Sequence, residues 1–529
     1  MKSNFVKYIF IIFVVIIIVF VIYKLTNNKT DESEGQPTIE QTESENEIIK
    51  EISLGIAEFD TINPILSKNK YVQEITKIIY EPLLELDSEY KIQNCLASEW
   101  AKTSEITYLI KLKNDIKWSN GENLTADDVL FTIDILKKIP SIYAYNVQYV
   151  TKVDKIDTQS LQITIDHEIP FFEYNLIFPI MNKNYYEGQD FSTTEKNNAP
   201  IGTGKYKIVQ NDANQITLEK NENYSRSELT LEKIVIGKYG TLSELYNAFK
   251  LGKVDLITTN NINIEDYIGT LGYNKKEARG REYDFITINT QNSILSNKEV
   301  RKAMAYTING ENIVANIFNS KYKTTGYPLD FGSWLKGEAV DYSYNIEKAR
   351  QTLQENGWEY KYNRWQKTEN YSTKSINTLR LVVQSTNQTR LSVAETIKTN
   401  LEELGIKITI VKASDAQYQN YLQNKNYDMI LTGTTVSASP NLDTYFGTNN
   451  LANYTNEEIT TLLNECKNIT KDDLLKEKYA RIREIYNDEL PYIGLYSSYY
   501  AVMSGLTLRG NIEANWYNIF SDIDNWYKE

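Results

Sequence analysis

Fourteen consecutive Ile, Val and Phe residues, Ile9–Ile22, divide this 529-residue chain before any other feature is considered. A run this apolar and unpunctuated has no polar face to turn to water. Extended through Tyr8 to Leu25, it makes a helix about 27 Å long, enough to cross a bilayer core with Lys24 snorkelling to the interface. A cleaved signal peptide would end in small residues of the A-x-A kind, and YKLTNNKTDESEG contains no such site, nor a cysteine to carry a lipid. The expectation is an uncleaved signal anchor over residues 1–25. Lys2 and Lys7 precede it and Lys24 and Lys29 follow, so lysine counts barely orient it.

The next stretch, Asp31–Glu47, holds seven acidic residues, no basic one and no aromatic. It cannot bury enough apolar surface to order itself, so residues 26–47 are expected to form a flexible, self-repelling tether. What remains, from residue 48 onward, is too long for one core and calls for two or three domains. Its 24% charged content is ordinary, and the chain's net charge of −13 argues against a nucleic-acid partner, which would need a basic surface.

The body mixes strands and helices. Strand-like runs are expected at Ile48–Ile56, Thr107–Leu112, Ser160–Ile165, Gln215–Leu218, Lys233–Tyr239, Asp284–Asn289, Leu379–Gln384, Lys407–Val411 and Asp428–Leu431. Capping boxes predict helix starts at Thr125 with Asp128, Ser296 with Glu299, and Thr455 with Glu458. A helical pattern over Leu391–Leu404 ends at Gly405 and passes directly into the strand GIKITIV. That helix–glycine–strand order is α/β topology.

Chemistry-bearing groups are few. Cys95 and Cys466 are far apart with no metal-ligand spacing, and two buried unpaired thiols are expected. His167 is the only histidine and sits in the alternating run TIDHEIPFF, which places it on a strand surface. The G-x-G of PIGTGKYKI lacks a third glycine and a following helix, so it reads as a hairpin or hinge rather than a phosphate loop. Asp127 and Asp128 are adjacent carboxylates, but capping claims Asp128. No nucleophile–base pair, metal set or nucleotide loop remains, so neither an enzyme nor a cofactor is expected.

Several segments together resemble one family. FDTINPILSKNKYVQEITKIIYEPLLELD (59–87) is similar to its opening, and ASEWAKTSEITYLIKLKNDIKWSNGENLTADDVLFTIDIL (97–136) to its signature. IGTGKYKI with LEKNENY, ITINTQNSILSNKEVRKAMAYTINGENIV, YNIEKARQTLQENGW and LEELGIKITIVKASDAQYQNYLQNKNYDMILTG follow in order, with NYTNEEITTLL and ELPYIGLYSS last. These resemble the bacterial extracellular solute-binding proteins of family 5, which serve peptide- and nickel-type ABC transporters.

The resemblance implies a periplasmic-binding-protein-like type II (cluster C) fold: two α/β lobes and an extra domain. Lobe I would take residues 48–85, 200–290 and 495–529, domain II 86–199, and lobe III 291–494, with hinges near Asn289 and Leu495. A peptide or similar solute would lie between the lobes as an added strand and be passed to the permease subunits of an ABC importer. The anchor would hold the body on the extracytoplasmic side of the cell membrane. Asn63, Tyr71, Thr434, Thr435, Ser437, Ser439 and Asp443 are the expected ligand contacts. Peptide-binding relatives place an ammonium-binding Asp where this chain has Val436-Ser437-Ala438-Ser439, and Asp443 is the nearest acid to replace it. A membrane-anchored receptor presenting peptide to a sensory partner is the alternative role. An oligosaccharide is the alternative ligand, given 40 tyrosines, while nickel through histidines is disfavoured by the single His167.

Overall fold

The computed structural model of the protein describes residues 49–337 and 342–529. The expected anchor and tether lie outside the described residues, among which no helix is long and apolar enough to cross a membrane. Residues 48–529 form one compact unit.

Three larger sheets organise it. Strand Glu51–Ala57 pairs in parallel with Lys233–Tyr239, and Gln215–Lys220 and Tyr206–Asn211 extend that sheet antiparallel. A second antiparallel sheet runs in the order Ala97–Ser104, Thr107–Leu112, Ser160–Ile165, Val150–Lys155. The third places Leu256–Thr259, Tyr492–Gly505, Tyr273–Ile288, Met429–Thr435, Leu379–Gln384 and Ile408–Ala413 side by side, with the short strand Lys323–Thr324 pairing off Tyr492–Gly505. The parallel pair Leu379–Gln384 and Ile408–Ala413 is joined by helix Gln388–Glu403, which ends at Gly405 with φ +90°. This is the α/β unit expected from the helix–glycine–strand order.

Two of those strands, Tyr273–Ile288 and Tyr492–Gly505, are long because each serves two cores. Side chains up to Ile268 and from Tyr499 onward pack into one apolar core, whereas those from Tyr283 to Tyr496 pack into another. The ladder between the strands changes register between Arg279 and Tyr283, opposite Tyr499 and Ser497. Gly280 stands at that break, where a Cβ would meet Ser498 Oγ at 2.4 Å. The crossing therefore precedes the hinge expected near Asn289, which lies past the strand's end in the second core's half of the chain. Backbone pairing continues through the crossing, so no loop-like composition marks it.

Local signals mostly hold, with one chemical substitution. Helix Ala126–Lys138 has the Thr125–Asp128 capping box, but the helices expected from Ser296 and Thr455 start one residue later. Asn297 and Asn456 are their caps, Asn297 accepting from the N–H groups of Glu299 and Val300 and Asn456 from that of Ile459. Asparagine caps as well as serine does. The glycines of the G-x-G motif allow two backbones to meet: a Cβ on Gly202 would lie 1.9 Å from the Ile79 carbonyl oxygen. Cys95 and Cys466 are buried free thiols, and His167 is exposed with Nδ1 2.5 Å from Asp166.

Candidate functional site

The short helix Lys70–Ile75 builds the first wall of the candidate site. Asn69 caps it, accepting from the N–H groups of Tyr71 and Val72, and donates through Nδ2 to the carbonyls of Ala57 and Glu58. The helix start is thereby tied to the end of the first strand. Helical spacing, carried on by the short 3-10 helix Thr76–Ile78, then sorts the side chains: Tyr71, Val72 and Ile75 enter the core, while Lys70, Gln73, Glu74 and Lys77 recur at i, i+3, i+4 and i+7 and line a cleft.

That cleft has a volume of about 540 Å³. Its other walls come from Tyr143, Tyr145 and Asn146, from Arg281 at the strand crossing, from Ser437–Ser439 and from Trp516 and Tyr517. Gln73 is fixed in place: it accepts from the Tyr143 hydroxyl at 2.7 Å and donates to the carbonyls of Pro64 and Ser67. The Arg281 guanidinium stacks over Trp516 at 4.4 Å, with Nε donating to the Val436 carbonyl at 2.9 Å. Trp516 stacks in turn on Tyr90, and beyond that pair lies a second hollow of about 240 Å³ beside Arg279 and Asp330.

Charge in the cleft is lopsided. Lys68, Lys70, Lys77 and Arg281 face a single carboxylate, Glu74. Glu74 accepts from the Thr258 hydroxyl at 2.7 Å and more distantly from Tyr500 at 3.5 Å. Burial pushes its carboxyl above the usual range, while the Thr258 hydroxyl and the charges of Lys70 and Lys77 pull it back. Burial also draws the Lys77 ammonium, which sits 4.3 Å over the Tyr517 ring, down to about 8.

The seven expected contacts separate in this geometry. Ser437 and Ser439 line the cleft. Thr434 and Thr435 end the strand that leads to it, with the Thr435 hydroxyl donating to Glu282 at 2.9 Å. Asn63 does not line it: the residue is fully buried, and its amide donates to Asn197 at 2.8 Å while its Oδ1 accepts from Ile65 N–H. Tyr71 is on the core face of its helix, only 7% exposed. Asp443 opens the one-turn helix Asp443–Phe446, is exposed and is absent from the walls of this cleft. The lysines carry a sequence signal of their own, since KYVQEITK has its polar residues at helical spacing and its apolar ones between them. Trp516 and Tyr517 had no such signal.

Residues 91–456 match the family model described as bacterial extracellular solute-binding proteins, family 5 Middle. The chain belongs to this family. Among relatives of this solute-binding protein, the oligopeptide-binding protein AppA of Bacillus subtilis (strain 168) is 22% identical, over 83% of this chain and 84% of AppA. The peptide transport periplasmic protein SapA of Salmonella typhimurium (strain LT2) is 24% identical, over 83% and 85%. Its fold is also similar to the unliganded open form of MppA, a periplasmic murein tripeptide binding protein. The TM-score is 0.77 at 16% identity, covering 91% of this chain and 98% of MppA. The α/β architecture of the solute-binding protein is therefore the one that its sequence resemblance implied.

Proposed function

We propose that this family 5 protein captures a peptide or peptide-like solute in the cleft beside Arg281 and delivers it to an ABC importer. The observation that carries the reading is the cleft itself: about 540 Å³ lined from both sides of the strand crossing, within the range of small-molecule sites. Its walls combine aromatic surface with the hydroxyls of Ser437 and Ser439, which suits an extended main chain better than a bare ion. The names of AppA and SapA, which mention oligopeptides and peptide transport, point to the same ligand class.

The lobes we propose have their boundary at the crossing: residues 48–85, 200–280 and 498–529 with domain II at 86–199 on one side, and 281–497 on the other. Their relative rotation is absorbed where the register breaks near Gly280. The apolar run Ile9–Ile22 anchors this body to the extracytoplasmic face of the cell membrane, and the acidic tether spaces it from its permease. Binding is reversible and non-covalent. The test is mass spectrometry of whatever co-purifies with residues 48–529, followed by thermal-shift screening of short peptides. A bound or added peptide should raise the melting temperature with increasing ligand excess. An oligosaccharide that shifts it where no peptide does would sink the reading.

A further inference from the structure

Four cations line the cleft, and among the described residues none of them forms an ion pair. Lys70 lies 4.8 Å from the Tyr71 ring, Lys77 over Tyr517, and Arg281 over Trp516 with its two terminal NH2 groups uncommitted. The one carboxylate beside them is held by hydroxyls rather than by a lysine. Acids are not scarce in this chain, which has 70 of them against 57 Lys and Arg. Elsewhere they collect the lysines: Glu168 takes Lys102 and Lys467, Asp488 takes Lys298 and Lys302, and Glu265 takes Lys275 and Lys321. Four like charges gathered in a partly desolvated wall around one carboxylate, Glu74, leave an excess of positive charge that costs free energy unless a ligand supplies the opposite sign.

We propose that the ligand is an acidic peptide, gripped through its carboxylates rather than through its α-ammonium. This rests on the reading that the cleft holds a peptide. Lys70 and Lys77 are two helical turns apart, about 10 Å, which is the length of roughly three extended residues. Two carboxylates of one tri- or tetrapeptide, one of them its C-terminus, reach both lysines while a third meets Arg281, whose planar fork suits a carboxylate. The same arrangement accounts for the absence of an acid in Val436–Ser439: an ammonium pocket is not what this cleft provides. Ser437 and Ser439 are left to meet the peptide main chain.

Isothermal titration of the full-length chain in mild detergent tests this with Glu-Ala-Glu, its neutral isostere Gln-Ala-Gln, Lys-Ala-Lys, and citrate and inorganic phosphate as non-peptide anions. The acidic peptide should bind at least about tenfold tighter than the neutral one, with an affinity that falls as salt rises. In K70Q/K77Q that ratio should collapse to within about twofold, and the exposed-site variant K68Q/K70Q should lower it part-way. Circular dichroism checks that both variants are folded. Equal or tighter binding of Gln-Ala-Gln or Lys-Ala-Lys overturns the charge assignment and leaves peptide capture standing. Citrate or phosphate binding as tightly as Glu-Ala-Glu overturns it in favour of a small-anion site. If no peptide of any charge binds, it is the underlying peptide reading that fails.

Discussion

Lys77 shows how one side chain sets a measurable property. It is held down to about 8 by burial, with Glu74 pulling it up and Arg281 pushing it further down, and Tyr517 and Tyr143 complete its surroundings. Below that value it is an ammonium that attracts an anion, and above it the charge is gone. Affinity for an acidic peptide should therefore fall as pH rises from about 7 to about 9, while binding a carboxylate should raise the Lys77 value and take up a proton. Calorimetry in two buffers of different ionisation enthalpy measures that uptake directly. A flat affinity profile across this window would contradict the placement of Lys77 against the ligand. Asn63 gives the opposite lesson at the same scale. It sits in the segment 59–87 that resembles the family's opening, but Asn197 and the backbone of Ile65 occupy its amide. Buried polar groups are satisfied internally, and a sequence does not say by whom.

The element that matters most is the six-residue helix Lys70–Ile75, too short to be stable alone. Asn69 compensates with four hydrogen bonds, two accepted from the helix and two donated to the end of the first strand. N69A should cost about 2 kcal/mol, the upper end for a lost cap because the strand contacts go with it, measured by urea unfolding. It should also weaken acidic-peptide binding, since the same cap aims Lys70 and Lys77. A loss of stability with unchanged affinity would show that the helix orientation is set elsewhere. At this scale much was legible. The strands at Thr107–Leu112, Ser160–Ile165, Lys233–Tyr239 and Leu379–Gln384 lie where alternation or apolar runs put them. The first half of Tyr273–Ile288 was missed because YNKKEARGRE is charged. Its ladder is held by backbone pairing with Tyr492–Gly505, which side-chain pattern does not encode.

Across the whole molecule, contacts from the two cores meet around the cleft. Trp334 Nε1 donates to the Tyr174 hydroxyl at 3.0 Å, and Ala438 packs with Leu86 and Tyr174. Glu168 accepts from Lys102 at 2.6 Å and pairs with Lys467 at 3.5 Å, joining strand Ala97–Ser104 to the end of helix Glu457–Cys466, which packs in the second core. The lysines hold the Glu168 carboxyl below its usual range, so the pair persists through neutral pH. E168Q should release Lys467, enlarge the radius of gyration of the ligand-free protein in X-ray scattering and weaken ligand binding by up to about fivefold, the worth of a partly exposed bridge. An unchanged scattering curve would mean that the bridge does not hold the two cores together.

The sequence alone determined the family, the α/β class, most strand and helix positions and the two free thiols, because hydrophobic period, capping chemistry and ordered motifs act over a few residues. It also carries the polar face of KYVQEITK in the spacing of its lysines. What only the tertiary structure decided is the cleft. Lys70, Tyr145, Arg281, Ser437 and Trp516 are separated by tens to hundreds of residues, and they meet because the chain crosses between two cores on the paired strands Tyr273–Ile288 and Tyr492–Gly505. Local pattern fixes which side chains leave the core, but only long-range pairing fixes which of them face one another, and with what charge.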